Sequence, residues 1–401
     1  MARTRPTADA AGQAALAAYR SGFREESGYL DYGRVGPLST TVVAETLGQT
    51  DVLSRARFGS LDDLGQQQAR AVSAVARATG FRSDQIALQP NTTTGLMHAL
   101  FGLTGEVLLS PADFPSLPFA AARAAEALHV VTPLWLGLDG LGGDGLGGDG
   151  PHGRVTPGLI REQLTDSVGV VAVCLVDSRT GFRVDLDGIR QVIGDRLLVV
   201  DAIQGFGVVD APWEVADVVA TGGQKWMRAG WGTGFLALSD RALDCLVPVF
   251  SGFAGAEPDE DGGDPWDIIT RPRAGAAAFQ VSNGDAVAQA RFAAALEEVE
   301  TVGLTRIEAA VADNVSELID LADEYAVPLL SSRDERERAG IVVLDPPREL
   351  LTLLSASLHN HGVTATVRGG TVRLSVHAEL STDTVEMVRA AFTSYSSAAS
   401  Y

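Results

Sequence analysis

The chain contains a single lysine, Lys225; every other residue among its 31 lysines and arginines is arginine. Arginine keeps its proton, whereas a lysine amine in a dry site can release it and become a nucleophile. Lys225 stands between Gly-Gly-Gln and Trp226, within the run LLVVDAIQGFGVVDAPWEVADVVATGGQKWMRAGWGTGFLAL (Leu197 to Leu238). A solvated lysine belongs more naturally in a charged helix. Upstream, Asp201 closes the apolar run RLLVV, where a carboxylate is costly to bury without a positive partner. Gln204 can bring a neutral donor and acceptor to the same place. Thr92, Thr93 and Thr94, followed by Gly95, open a helix whose free N–H groups and hydroxyls suit an anion such as phosphate. Taken alone, that tripeptide reads as a helix cap.

These residues need a scaffold, and the hydrophobic pattern supplies one. Apolar runs at QIALQ, EVLLS, HVVTPLWLGL, VGVVAVCLVD, RLLVVDA, DVVATGG and TGFLALS read as strands. Between them, SLPFAAARAAEAL and LDGIRQVIG have helical spacing. Alternating strands and helices predict an α/β fold with a mostly parallel seven-stranded sheet, whose carboxyl edge would carry Asp201. SLDDLGQQQARAVSAVARAT (Ser60 to Thr79) and an alanine-rich stretch from Ala8 to Arg24 predict earlier helices. The repeat LDGLGGDGLGGDGPHG (138–153) predicts a surface loop, since two copies cannot build a calcium-binding roll. After the acidic connector GFAGAEPDEDGGDPWD (252–267), a helical region runs to Tyr325 with a break near Gly303. Strands at VPLLS and GIVVLD, a helix at ELLTLLSASLHNHG, the hairpin-like pair VTATV and VRLSVH, and a last helix from Thr382 form a smaller α+β unit. The expected organisation is an N-terminal segment (1–28) packing with the small domain, a large ligand-binding domain (29–265) and the small domain (266–401).

Composition narrows the function classes. A net charge of −20 opposes non-specific binding to nucleic acid or anionic membranes. Two cysteines, Cys174 and Cys245, give neither a disulfide framework nor a metal cluster. Neither a signal peptide nor a membrane-length apolar stretch is evident, so a cytoplasmic protein is expected. No Gly-x-Gly-x-x-Gly follows a first strand, which disfavours a dehydrogenase.

A lone lysine, a carboxylate for a ring nitrogen and a phosphate cradle converge on pyridoxal 5′-phosphate (PLP). Asp201 would keep the pyridine nitrogen protonated, and Lys225 would form an imine and then move the substrate α-proton. In VDAIQGFG, TGGQKW and GTGFLAL the chain resembles the class V aminotransferases of PLP fold-type I. That family includes cysteine desulfurases, kynureninase and isopenicillin N epimerase-like enzymes. The resemblance implies that Asp201 bonds the pyridine nitrogen, Gln204 the ring hydroxyl, and Lys225 the cofactor aldehyde. NTTTG matches the family's phosphate turn, which implies Thr93 and Thr94 as phosphate contacts. DFPS puts Phe114 over the ring, VDSRTG brings Ser178 to the cofactor side, and TVRLSVH implies Arg373 as the clamp on the substrate carboxylate. The family also implies a homodimer with sites at the interface.

The chain departs from the family pattern in several places. Gln224 precedes the lysine where histidine is common, and Gly222 replaces a frequent serine, leaving Thr221 to supply a hydroxyl. Ser282-Asn283 stands where a Gly-Thr pair often reaches the phosphate across the dimer, so Asn283 is the candidate substitute. The region SSRDERERAGIVVLD has no cysteine, which disfavours a persulfide-forming desulfurase. The leading expectation is an aminotransferase-like enzyme acting on an amino acid or derivative. A C–S lyase or epimerase of the same fold is the alternative, and a non-catalytic PLP-binding protein is the alternative from another class.

Overall fold

The structure is a computed structural model, and it describes residues 10–137, 153–258 and 268–399. Residues 138–152, all of the glycine–aspartate repeat but Gly153, and the core of the acidic connector, 259–267, lie outside the described residues.

Seven strands form the main sheet: β1 (Ile86–Leu88), β2 (Gly105–Leu109), β3 (Val131–Trp135), β4 (Val168–Cys174), β5 (Leu197–Asp201), β6 (Val218–Gly222) and β7 (Gly234–Leu238). Their order is β1-β7-β6-β5-β4-β2-β3. The pairs from β6 through to β3 are parallel, while β7 runs antiparallel to both β6 and β1. The strands read as continuous apolar runs because helices cover both faces. In β4, Val170 and Ala172 join one apolar cluster with the helices Thr92–Gly102 and Ser116–Leu128. Val171 and Val173 join the other, with Ile189 of the helix Leu186–Ile193 and Leu296 of the helix Ala286–Val302. The α/β prediction and its seven-stranded sheet hold.

The later residues build a second, antiparallel sheet from β8 (Ile341–Leu344), β9 (Thr366–Arg368) and β10 (Thr371–Ser375), in the order β8-β10-β9. The helices Leu304–Glu324, Leu351–Asn360 and Thr382–Ala399 accompany it. The break expected near Gly303 is real, since Gly303 sits at φ 88° between two helices. The hairpin is also real, and Gly369 and Gly370 turn it at φ 60° and 90°, where a side chain would strain the backbone. VPLLS, expected as a strand, makes only an isolated bridge from Leu329 to Leu344. The apolar side chains there pack without a ladder.

The helix Thr40–Arg55 did not stand out in the sequence, because Gly48 and several β-branched residues blur its pattern. Ser39 caps it by accepting from the Val42 N–H, and it lies on the helix Ala286–Val302. The N-terminal helix Ala10–Ser21 reaches the C-terminal residues through Arg20, whose Nε donates to the Ala378 carbonyl at 2.7 Å. Beyond it, Leu30 N–H donates to Thr364 O, so residues 29–35 run beside the small sheet toward the edge that carries Lys225.

Candidate active site

Parallel strands bring their carboxyl ends to one edge, and that edge collects the chemistry. Cys174 and Asp201 are register partners at the ends of β4 and β5, and Asp201 pairs with Ala220 of β6. The loop after β2 carries Asp113 and Phe114, the loop after β4 carries Ser178, and Lys225 follows β6 by three residues. β1, parallel to β6 through β7, leads from the same edge into Asn91 and the helix Thr92–Gly102.

Asp201 is 1% exposed and Lys225 9%. One Asp201 oxygen accepts the Ile203 N–H at 3.1 Å, and the other accepts the Cys174 thiol at 3.9 Å. Burial raises the Asp201 carboxyl to about 6, against the opposing pull of the Ile203 N–H and the Lys225 charge. Burial likewise lowers Lys225 to about 8, with Asp201 pulling it back up. The Lys225 ammonium lies 5.3 Å from the centroid of the Phe114 ring. These three residues therefore meet in one crevice.

The turn bearing Lys225 is tightly built. The Gly223 amide donates to Thr233 O, and a Cβ on Gly223 would collide with the Thr233 hydroxyl. After the lysine, Arg228 takes φ 56°, held by a 2.6 Å bond to Glu25 and by its guanidinium lying 3.2 Å over the Phe23 ring. The Gln204 amide bridges two parts of the wall: its nitrogen donates to Gly33 O and its oxygen accepts the Trp226 indole N–H, each at 3.0 Å. One amide hydrogen of Gln204 remains for a ligand.

At the helix Thr92–Gly102, Asn91 caps the N-terminus by accepting the Thr94 N–H and hydroxyl. Thr93 is exposed and shares a 2.8 Å bond with Ser116. Thr92 is buried, and its hydroxyl has no partner among the described residues. Thr221 is fully buried, with its hydroxyl turned to the Gly222 carbonyl, while Gln224 is half-buried. Asn283 is exposed, on the wall of a cavity of about 720 Å³ whose lining includes Thr94, Phe253 and Val281 but not Lys225.

Arg373, on β10, donates to the Ser178 carbonyl at 3.2 Å and lies 3.7 Å from Asp31. Its Nε is buried without a partner among the described residues, and burial depresses its pKa. Ser178 thus meets Arg373 through its backbone. Asp31 was not foreseen, and its place in an irregular segment gave no periodic signal. Asp113 was also missed. It is 8% exposed, one of its oxygens has no partner among the described residues, and burial with nearby Asp177 and Asp201 pushes it up to about 8.

This donor set fits a ring with a basic nitrogen, an aldehyde and an anionic tail: a buried carboxylate faces an amine of lowered pKa, an aromatic face covers them, and a helix N-terminus carries an unpartnered hydroxyl. A family model for class-V aminotransferases matches residues 150–400, so the chain belongs to that family. The family is PLP-dependent, and PLP is the cofactor. The kynureninase of Deinococcus radiodurans is 28% identical over 290 residues, covering 68% of this chain and 64% of that enzyme's length. A mutant of C-DES with glycine covalently linked to its PLP cofactor superposes with a TM-score of 0.80 at 18% identity, over 93% of this chain and 98% of that one. The apo cysteine desulfurase of Thermococcus onnurineus gives 0.76 at 20% identity, over 96% and 97%. These structural likenesses establish PLP fold-type I.

Proposed function

We propose that the chain is a PLP-dependent lyase-type enzyme that removes the α-proton of an amino acid and releases a group from its β-carbon. The observation that carries this reading is the meeting of buried Asp201, Lys225 with its lowered pKa and the Phe114 face in one crevice. The bound cofactor supplies an electron sink for the α-carbon. Asp201 holds the pyridine nitrogen protonated, and Gln204 offers its remaining N–H to the ring hydroxyl. Phe114 covers the ring, while Thr93 and Thr94, with the helix N-terminus, hold the phosphate. Arg373 holds the substrate carboxylate beside the Ser178 carbonyl, and Lys225 takes the α-proton from its place on the 223–229 turn.

Transamination needs the same residues, but the character of the relatives shifts the weight toward cleavage at the β-carbon. C-DES is described as a cystine C–S lyase and the Thermococcus onnurineus protein as a cysteine desulfurase. A persulfide-forming route stays disfavoured: Cys174 is buried beside Asp201, and Cys245 lies on the helix Asp240–Cys245 that follows β7. The reading includes a homodimer, supported by exposed Trp231, Phe253 and Val281 near the cavity that holds Asn283. It also includes the division at residues 28 and 265, and a cytoplasmic setting consistent with the free thiols.

The test is direct. Purified protein should take up PLP and become yellow, and borohydride should fix the cofactor to Lys225. An amino-acid panel should then yield ammonia or sulfide together with a keto acid, without an amino acceptor. Protein that stays colourless with added PLP would sink the reading, and strict dependence on a keto-acid acceptor would return it to transamination.

A further inference from the structure

The hairpin that carries Arg373 carries a second guanidinium. In the β9–β10 ladder, Thr366 faces Arg373 and Arg368 faces Thr371. Side chains alternate across a strand, so Thr366, Arg368, Thr371 and Arg373 share one face of the hairpin. Arg368 and Arg373 are then diagonal neighbours, about 7–8 Å apart at the backbone. The Arg368 guanidinium lies 5.8 Å from the centroid of the Phe114 ring, the ring that also meets Lys225. Burial lowers the Arg373 pKa, Asp31 opposes it, and the Arg368 charge adds to the lowering. Gly369 and Gly370 form the turn between the two strands.

The two arginines differ in what already balances them. Arg373 has a side chain only 14% exposed and has Asp31 at 3.7 Å. Arg368 is exposed and meets no carboxylate at ion-pair distance among the described residues. Among the described residues the positive charge of Arg368 beside Phe114 is therefore uncompensated, in a chain whose net charge is −20. One carboxylate of an amino acid can be held by Arg373. A second anionic group, carried at the far end of the side chain, would meet Arg368.

Resting on the function proposed above, we infer that Arg368 is a specificity-determining residue that selects amino acids with a distal carboxylate. The guanidinium fork offers paired N–H donors matched to such a group, and the Phe114 ring beneath limits the directions it can take. The α-carboxylate stays with Arg373, so the two charges of the substrate are separated along the hairpin face.

The test uses the full-chain holoenzyme and two ligands that differ only in charge, S-carboxymethyl-L-cysteine and its amide S-carbamoylmethyl-L-cysteine. Rapid-mixing absorbance of the cofactor gives the half-saturation of each before turnover. The wild type should bind the carboxylate more tightly than the amide. Arg368→Met should weaken the carboxylate about tenfold or more, as loss of a charge-assisted pair implies, and shift the amide by less than about twofold. Arg368→Lys should recover part of the difference. A wild type that fails to prefer the carboxylate overturns the inference, as does equal weakening of both ligands or of neither. A protein that takes up no PLP overturns the function on which the inference rests, and so is told apart from a failure of Arg368 alone.

Discussion

Gly36 and Lys225 are in direct backbone contact: a Cβ on Gly36 would overlap the Lys225 carbonyl oxygen, and the Gly36 amide donates to the Gln224 carbonyl at 2.8 Å. The only lysine in the chain is therefore positioned by a segment nearly 190 residues earlier. Gly36→Ala must push that turn away. We expect the variant to fold and to lose most covalent cofactor, read as absorbance per chain after gel filtration. Unchanged uptake would show that the turn accommodates the methyl group.

The Lys225 amine attacks only when unprotonated, and burial lowers its pKa to about 8. Capture of PLP by apoprotein should speed up as pH rises through about 8 and level off above it. Stopped-flow absorbance measures this, and a rate still climbing steeply at pH 10 would assign the amine an ordinary pKa.

Asp113 is raised to about 8 from an ordinary carboxyl value. Between about pH 4 and 8 the folded chain holds a proton that the unfolded chain has lost, so this residue makes stability fall as pH rises. Below pH 4 both states are protonated and the effect vanishes. Asp113→Asn should leave the apoprotein Tm near wild type at pH 4 and raise it by several degrees at pH 9. Calorimetry at the two pH values decides the matter. An equal shift at both would point to packing instead of charge.

Arg373 is held beside Asp31 and the Ser178 carbonyl. Arg373→Ala removes the clamp and leaves Asp31, a buried acid, with only the exposed Arg34 as a cation, at 3.8 Å. Amino-acid binding should weaken by about tenfold to a hundredfold. Unaltered binding would move the carboxylate elsewhere.

Cys245 is exposed and outside the crevice. If no cysteine carries sulfur in the reaction, Cys245→Ser should release ammonia or sulfide from the best substrate at the wild-type rate. Loss of sulfide release alone would revive the desulfurase route.

The parts of this molecule legible in its sequence are those governed by periodicity or by a rare residue. Strands β4 and β5 announced themselves because a sheet covered on both faces must be apolar throughout. Lys225 and Asp201 stood out as polar groups where only apolar ones are cheap. Gln204 was found, but its bonds to Gly33 and Trp226 were not, since both depend on chain segments that meet only in the fold. Thr93 and Thr94 were singled out, whereas the buried, unpartnered hydroxyl belongs to Thr92. One residue of helical rotation decides which threonine faces inward, and a sequence does not display that angle. Asp31 and Asp113 stayed hidden because an acid in a loop looks solvated until the fold closes over it.

The bonds around the lysine have a mechanical consequence. Gln224 O is held by Gly36, Trp226 O by His377 at 3.0 Å, and the Trp226 indole by Gln204. Burial drives the His377 pKa down to about 3, so the imidazole stays neutral, and this fastening does not loosen at working pH. The peptide on either side of Lys225 is thus a stator. Whatever travel the amine makes between cofactor and substrate must come from the four methylenes of its own side chain, which form the rotor.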